Sequence, residues 1–284
     1  MIVLHRARFT RGHTFRGSIV GTYVISGSAS GIGAAARTRL EEAGHRVIGI
    51  DLRDAEVIGD LSDAAGREQA VAQTLERCDH RLDGLVTAAG LGPPQPGASI
   101  ARVNYFGSRA LLAGLRPALA AAGDAQVVQI GSNSSTTTPN LANDLIDAFL
   151  DGDEDRTVEL IAETPEPFDA AIAYGGAKLA ISRWCRRAAV HDDWIGAGIT
   201  LNVLAPGPVR TPLLRAGEDD ENFGPLLERF PIPTGGPATA ALMAEWIVFL
   251  LSPAARFACG SVIFVDGGAD AMIRSDAWPA SFEL

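Results

Sequence analysis

The sequence predicts an α/β fold in which one doubly wound parallel sheet is covered by helices on both faces. Three observations carry this. From residue 21 onward, short β-branched runs alternate with longer helical stretches. The short runs are apolar throughout, as strands buried on both faces must be. The first run ends in a glycine-rich turn that leads directly into a helix.

The elements follow in order. Thr22–Ser26 (TYVIS) is the first strand, and residues 32–42, rich in Ala, Arg and Leu, form a helix. Arg46–Asp51 (RVIGID) is a strand, Ala64–Arg77 a helix, Gly84–Thr87 a strand, residues 98–122 one long helix and 126–130 a strand. Further on come a helix over 174–192, a strand over 199–204, a helix over 239–251 and a last strand over 261–265. Residues 140–168 break the rhythm. Leu141, Leu145 and Phe149 recur every fourth residue, so this insertion is expected to be helical. Its acidic run, residues 151–155 (DGDED), reads as a solvated turn before a second short helix through Val158, Leu160 and Ile161.

Residues 1–20 carry Arg6, Arg8, Arg11 and Arg16 and no acid. They read as a disordered, ragged start, with a targeting peptide as the alternative. Residues 21–284 read as a single domain, with the insertion at 140–168 and a variable lid at 212–237.

Composition excludes several classes. The 284 residues are 47% hydrophobic and 20% charged, with a formal net charge of −10. Nucleic acid and anionic membrane both call for a basic face, so neither is expected as a partner. No apolar run reaches the roughly 18 residues of a membrane span. The nearest, 238–251, is broken by Glu245 and reads as a buried helix. Cys78, Cys185 and Cys259 lie far apart with no metal-ligand spacing. They suggest reduced thiols and a cytoplasmic chain, and no metal is expected.

The glycine-rich turn reads Ser26-Gly27-Ser28-Ala29-Ser30-Gly31-Ile32-Gly33. Glycine permits the tight turn and a close approach of backbone to a pyrophosphate, and the following helix N-terminus offers free N–H groups to it. Asp51 closes the next strand, 18 residues after Gly33. Strand, turn, helix and acid together form a Rossmann-type dinucleotide signature. Asp51 would accept from the adenosine ribose hydroxyls and repel a 2′-phosphate, favouring NAD over NADP. Arg53 is the counter-argument. Asp60-Leu61 follows; Asp60 would bond the adenine amino group or else cap the next helix.

Of 24 basic residues, Lys178 is the one lysine, and Tyr174, one of three tyrosines, lies four residues before it. The two share a helical face. A tyrosine has a pKa near 10, and bringing it to about 7 takes roughly 4 kcal/mol. An ammonium about 4–5 Å away supplies roughly 3–4 kcal/mol at an effective dielectric of 20. With help from a cationic nicotinamide, Tyr174 would serve as a base at neutral pH.

The chain resembles the short-chain dehydrogenase/reductase superfamily from about Thr22 to Met272. The motifs are Gly27-x3-Gly31-x-Gly33, Asp60-Leu61, Val103-Asn104-Tyr105, Ile130-Gly131-Ser132, Tyr174-x3-Lys178, Pro206-Gly207-Pro208-Val209-Arg210-Thr211 and Val265-Asp266-Gly267-Gly268. The resemblance implies that Tyr174 is the general acid/base and that Ser132 holds the substrate oxygen. Lys178 would hold the nicotinamide ribose, and Asn104 a helix kink and a proton-relay water. Val209 and Thr211 would meet the nicotinamide, beside Pro206 and Gly207. Plainer roles stand next to these: a turn cap for Ser132, a helix defect for Asn104, loop punctuation for Pro206 and Gly207. Where the superfamily often has Asn-Ala-Gly, this chain has Ala88-Ala89-Gly90; Ala89 and Gly90 are retained as cofactor contacts.

Two departures narrow the resemblance. The stretch from Asp51 to Asp60 is short, and 42 residues separate Ser132 from Tyr174. Both are similar to a subgroup, the bacterial 3α-hydroxysteroid dehydrogenases/carbonyl reductases, with coniferyl-alcohol dehydrogenases as a second relative. The resemblance implies an NAD(H)-dependent oxidoreductase acting on an apolar secondary or aryl alcohol and its ketone. Leu213, Leu214, Phe223, Leu226, Leu227, Phe230 and Ile232 would line its pocket or else pack the lid. The insertion lies where many members make a dimer contact, so a homodimer is expected in place of a tetramer. A non-catalytic dinucleotide sensor is the rival from another class; it would be marked by loss of Ser132, Tyr174 or Lys178, and all three are present.

Overall fold

The computed structural model describes residues 20–280. The reading of residues 1–20 falls, Val20 apart, outside them. In chain order the elements are β1 (Thr22–Ser26), α1 (Gly31–Glu42), β2 (Arg46–Asp51), β3 (Val57–Ile58), α2 (Ala64–Arg77), β4 (Gly84–Thr87), α3 (Gly97–Ala101), a π-helical turn (Arg102–Gly107), α4 (Ser108–Ala122) and β5 (Ala125–Ile130). There follow α5 (Ser134–Thr137), α6 (Asn143–Asp151), α7 (Glu154–Ala162), α8 (Phe168–Ala189), β6 (Ile199–Pro206), β7 (Val209–Arg210), α9 (Pro212–Glu218), α10 (Gly224–Glu228), β8 (Ala238–Thr239), α11 (Ala240–Leu250), β9 (Val262–Val265) and α12 (Ala269–Ile273).

Seven strands, all parallel, stand in the order β3-β2-β1-β4-β5-β6-β9. The direction of winding reverses between β1 and β4, which opens a crevice at the carboxyl ends of the strands. The doubly wound α/β sheet is the predicted one. Successive residues of a strand feed opposite cores, as a period of two requires. Val24, Ile48, Val127 and Leu201 belong to one core, with the inner faces of α4 and α8; Ile25, Val47, Val128 and Leu204 belong to the other, with α1 and α11.

Four expectations are corrected. The helix over 98–122 is interrupted by the π-helical turn, because Asn104 turns inward to bond the Leu91 backbone. The helix expected to begin at Tyr174 begins at Phe168, so the pair Gly175-Gly176 sits in its interior. Glycine there costs about 1 kcal/mol each in helix propensity, and both have a packing reason. A Cβ on Gly175 would run into the Thr138 side chain, and one on Gly176 would come within 3.3 Å of Leu145 and Phe149.

The acidic run is more than a solvated turn. Gly152 closes α6 in the left-handed region, and Asp153 caps α7 by accepting from Arg156 N–H at 2.9 Å. Glu154 bridges Arg67 on α2 at 2.7 Å and Arg102 on the π-helical turn at 3.1 Å. Finally, α11 is not buried all round. Met243, Ala244, Ile247 and Leu250 face the core, while Leu242, Trp246 and Phe249 are exposed. Apart from Glu245, which pairs with Arg39 of α1, the helix is apolar on both sides, but the core covers only one. No described helix is long and apolar enough to cross a membrane.

Candidate functional site

The glycine-rich turn closes over the end of β1. Gly27 (φ +69°) and Gly31 (φ +55°) take left-handed conformations that favour glycine. Gly27 also lies against the Ala88-Ala89 backbone, where a Cβ would stand 2.7 Å from Ala89 N, and a Cβ on Gly33 would collide with the Gly27 carbonyl oxygen. Ser26 Oγ accepts from the N–H groups of Ala88 and Ala89, both at 3.2 Å, tying the two loops together. Helix α1 then starts at Gly31 with no side-chain cap from Ser30 and no acid in its first turn, where Ile32 follows. Its N-terminal dipole is therefore uncompensated and faces the crevice, a cradle that suits a pyrophosphate.

Asp51, at the end of β2, is half-buried. Its Oδ2 accepts from Ala29 N–H at 3.0 Å and its Oδ1 from Leu52 N–H at 2.7 Å, which fixes the carboxylate beside the turn. Asp60 is exposed and accepts from Ser62 N–H at 2.8 Å; bonds to Ser62 hold its carboxyl below the usual range. The cap of α2 is Asp63, which accepts from Gly66 N–H at 2.8 Å, so the capping alternative for Asp60 is overturned. Leu61 is buried against Gly107.

Tyr174 and Lys178 stand one turn apart on α8. Lys178 is only 5% exposed. Its Nζ donates to Ile130 O at 2.9 Å and lies 5.8 Å from the Tyr174 ring centroid. Ile130 O is its one hydrogen-bond partner among the described residues, which leaves two N–H groups for a ligand. Asn104 is fully buried; its amide accepts from Leu91 N–H and donates to Leu91 O, each at 2.8 Å. A Cβ on Gly90 would stand 3.3 Å from Asn104 Oδ1 and 3.9 Å from Lys178 Nζ, so Gly90 borders both. Ser132 is buried, accepts from Ser134 N–H at 3.1 Å and hydrogen-bonds the Tyr174 hydroxyl. Its turn-capping contact does not take it away from Tyr174.

The Tyr174 shift runs opposite to expectation. Burial pushes the Tyr174 hydroxyl above its ordinary value, and the Ser132 bond is the one downward influence. Lys178 does not reverse this, because burial acts on it as well and pushes its ammonium down to about 8. The ion pair of tyrosinate and ammonium is thus poised, but not formed, by the protein's own residues.

Three further segments wall the crevice. Pro206 O accepts from Asn133 N–H at 2.8 Å, and a Cβ on Gly207 would stand 2.8 Å from Asp266 Cα. Val209 is buried. Thr211 caps α9 by accepting from Leu214 N–H at 3.3 Å, and its methyl would stand 3.2 Å from a Cβ on Gly31. Leu213 lies over Gly92. Phe223 is buried and packs into the main core. Asp266 was named in the sequence without a role. It accepts from the N–H groups of Gly268 and Asp270, and its Oδ2 faces Asn133 Nδ2 at 3.5 Å. Asp270 in turn accepts from Thr136 Oγ1 and Arg274 Nε, so the two acids pin α12 to the Ser132 loop. Among the described residues no group of three or more His, Cys, Asp or Glu could hold a metal.

The profile of the enoyl-(acyl carrier protein) reductase family matches residues 160–270. A 3α-hydroxysteroid dehydrogenase/carbonyl reductase of Comamonas testosteroni is 43% identical over 88% of this chain and 97% of its own length. The chain belongs to the short-chain dehydrogenase/reductase family. A crystal structure of the 3α-hydroxysteroid dehydrogenase from Pseudomonas sp. B-0831, complexed with NADH, superposes with a TM-score of 0.85 at 45% identity, covering 90% of this chain and 99% of that one. A coniferyl-alcohol dehydrogenase of Pseudomonas sp. strain HR199 is 28% identical over 86% of this chain and 94% of its own.

The buried ammonium makes a stability prediction. The folded pKa of Lys178, about 8, lies below the ordinary 10.5. Between these values the unfolded chain binds more protons, so stability rises with pH across that window. The difference amounts to about 3 kcal/mol at neutral pH. Lys178→Met is therefore expected to raise the urea midpoint of the ligand-free protein at pH 7, with the gain shrinking toward pH 10. An equal or lower midpoint at pH 7 would contradict the assignment.

Proposed function

We propose that this member of the family is an NAD(H)-dependent dehydrogenase/reductase that interconverts a 3α-hydroxysteroid, or a comparably apolar cyclic alcohol, and its ketone. The observation that carries the reading is the convergence of Ser132, Tyr174 and Lys178 at the open strand ends, beside a glycine cradle with an acid at its far wall. The substrate class is taken from the 43%-identical relative, and the NAD preference from Asp51 and from the NADH-bound neighbour. A coniferyl-type aryl alcohol is the second reading, favoured by the 28%-identical relative.

The residues have distinct tasks. The turn Gly27–Gly33 and the start of α1 receive the pyrophosphate, and Asp51 the adenosine ribose. Asp60, Leu61, Ala89 and Gly90 border the adenine and ribose path. Pro206, Gly207, Val209 and Thr211 shape the far end. A nicotinamide held there would supply the hydride acceptor for oxidation of the carbinol carbon and the hydride donor for reduction of the ketone. Ser132 orients the substrate oxygen while Tyr174 takes its proton or gives it back. Lys178 stabilises the tyrosinate and offers its free N–H groups to a ribose hydroxyl. The Asn104 amide is taken up by Leu91, so Asn104 serves the proton relay through its peptide group at the π-helical turn, where the α-helical ladder is broken.

Residues 21 to 284 act as one catalytic unit, in a cytoplasmic setting suited to three unpaired cysteines. The unit is a homodimer. Phe149, Leu145 and Ile146 of the insertion cover the face of α8 and of the π-helical turn. That leaves exposed Leu242, Trp246 and Phe249 on α11 as the apolar surface for a second copy.

Two outcomes follow. Tyr174→Phe is expected to lower kcat at least about 100-fold on a panel of hydroxysteroids and aryl alcohols, while NADH still binds as in the wild type. Full turnover by that variant would refute the mechanism, and activity on aryl alcohols alone would discard the steroid assignment. Light scattering is expected to give two chains per particle, and one chain for Trp246→Glu; a tetramer would overturn the dimer.

A further inference from the structure

One cation near the cofactor cradle has no part in the tasks above. Arg37, on α1, sends its guanidinium over β2. A Cβ on Gly49 would stand 2.9 Å from Arg37 Nη1 and would collide with Ser28 Oγ, so glycine at position 49 is what lets these two side chains pass. Arg37 and Glu56 line an open cavity with Ser28, Ala29, Asp54 and Ala55. Ala29 is also the residue whose N–H is held by Asp51. The cavity therefore adjoins the carboxylate assigned to the adenosine ribose.

Arg37 is the one cation among the residues lining this cavity, and three of its five N–H groups are taken by two carboxylates. Its Nη2 and Nη1 donate to the two oxygens of Glu56 at 2.6 and 3.0 Å, a two-pronged pair, and its Nε donates to Glu41 at 2.8 Å. Such forked pairs match the geometry an arginine would otherwise offer a phosphate. Glu56 is itself anchored, accepting from Gly49 N–H on β2 at 2.7 Å. With Glu56 and Asp54 against Arg37 the lining is net negative, and Arg53, the other nearby cation, is not part of it.

We propose that Glu56 is a specificity-determining residue: by holding Arg37 in a forked pair it denies that cation to a 2′-phosphate and, together with Asp51, sets NAD above NADP. This rests on the NAD reading above. Glu56→Gln keeps an acceptor for Gly49 N–H but removes the charge and weakens the fork.

The test measures binding by calorimetry with the fragments 5′-AMP and 2′,5′-ADP, and by fluorescence with NADH and NADPH, on the full chain. E56Q is expected to shift the ratio of affinities about tenfold toward 2′,5′-ADP and NADPH. The double variant R37Q/E56Q is expected to lose that shift, and R37Q alone to stay within about twofold of the wild type, because the cation it removes is already committed. An unchanged ratio in E56Q, or a shift that persists in R37Q/E56Q, would overturn the proposal while leaving the NAD reading intact. A change well beyond twofold in R37Q alone would also overturn it, even were E56Q to fail to fold. A wild type that binds 2′,5′-ADP more tightly than 5′-AMP would instead defeat the NAD reading itself.

Discussion

The site depends on one costly arrangement, an ammonium buried with a single carbonyl for company. Lys178 is held at Ile130 O, at the carboxyl end of a central strand, and burial pulls its pKa down to about 8. An unshared N–H in so dry a place favours any ligand that brings oxygen atoms to it. The same burial lifts Tyr174. The two groups thus oppose their own charged forms until something else enters the crevice. On the function proposed above, chemistry and binding would be coupled: Tyr174 would become competent as a base where a cationic ring and ribose hydroxyls complete its surroundings.

The rest of the structure keeps that arrangement rigid. Gly175 lets Thr138, from the loop that carries Ser132, pack directly on α8, and Gly176 lets the insertion do the same from the other side. Phe149 continues this contact to Tyr105 and Phe106, with ring centroids 5.0 and 5.9 Å away, next to Asn104. Glu154 ties the insertion to α2 and to the π-helical turn. Asp266 and Asp270 anchor the far end of the chain to the Ser132 loop. The insertion is thereby part of the catalytic scaffold as well as a cover.

What was legible in the sequence was what is local. The strands were readable from their β-branched runs, and the cradle from glycines whose left-handed conformations admit little else. Tyr174 and Lys178 stand out by spacing and by the scarcity of lysine and tyrosine, and Ser132 only by the family resemblance. What needed coordinates was long-range. Nothing in the run DGDED says that Glu154 meets Arg67, 87 residues away. The exposed side of α11 looks like core by composition, because apolar residues surround the helix and only packing chooses a side. Asp60 resembled a cap until Asp63 was seen to fill that place. The upward direction of the ligand-free Tyr174 shift is hidden for a related reason: spacing shows the pair of groups, whereas the desolvation that acts on both needs coordinates.

The most direct test of this account is a tyrosinate titration by ultraviolet difference absorbance, comparing ligand-free and NAD-saturated protein with Tyr174→Phe as the blank. The account predicts that ligand-free Tyr174 stays protonated beyond its ordinary value of 10.0, and that saturation with NAD brings one ionisation, absent from the Phe variant, down toward neutrality. A Tyr174 that ionises near neutral pH without ligand would contradict it.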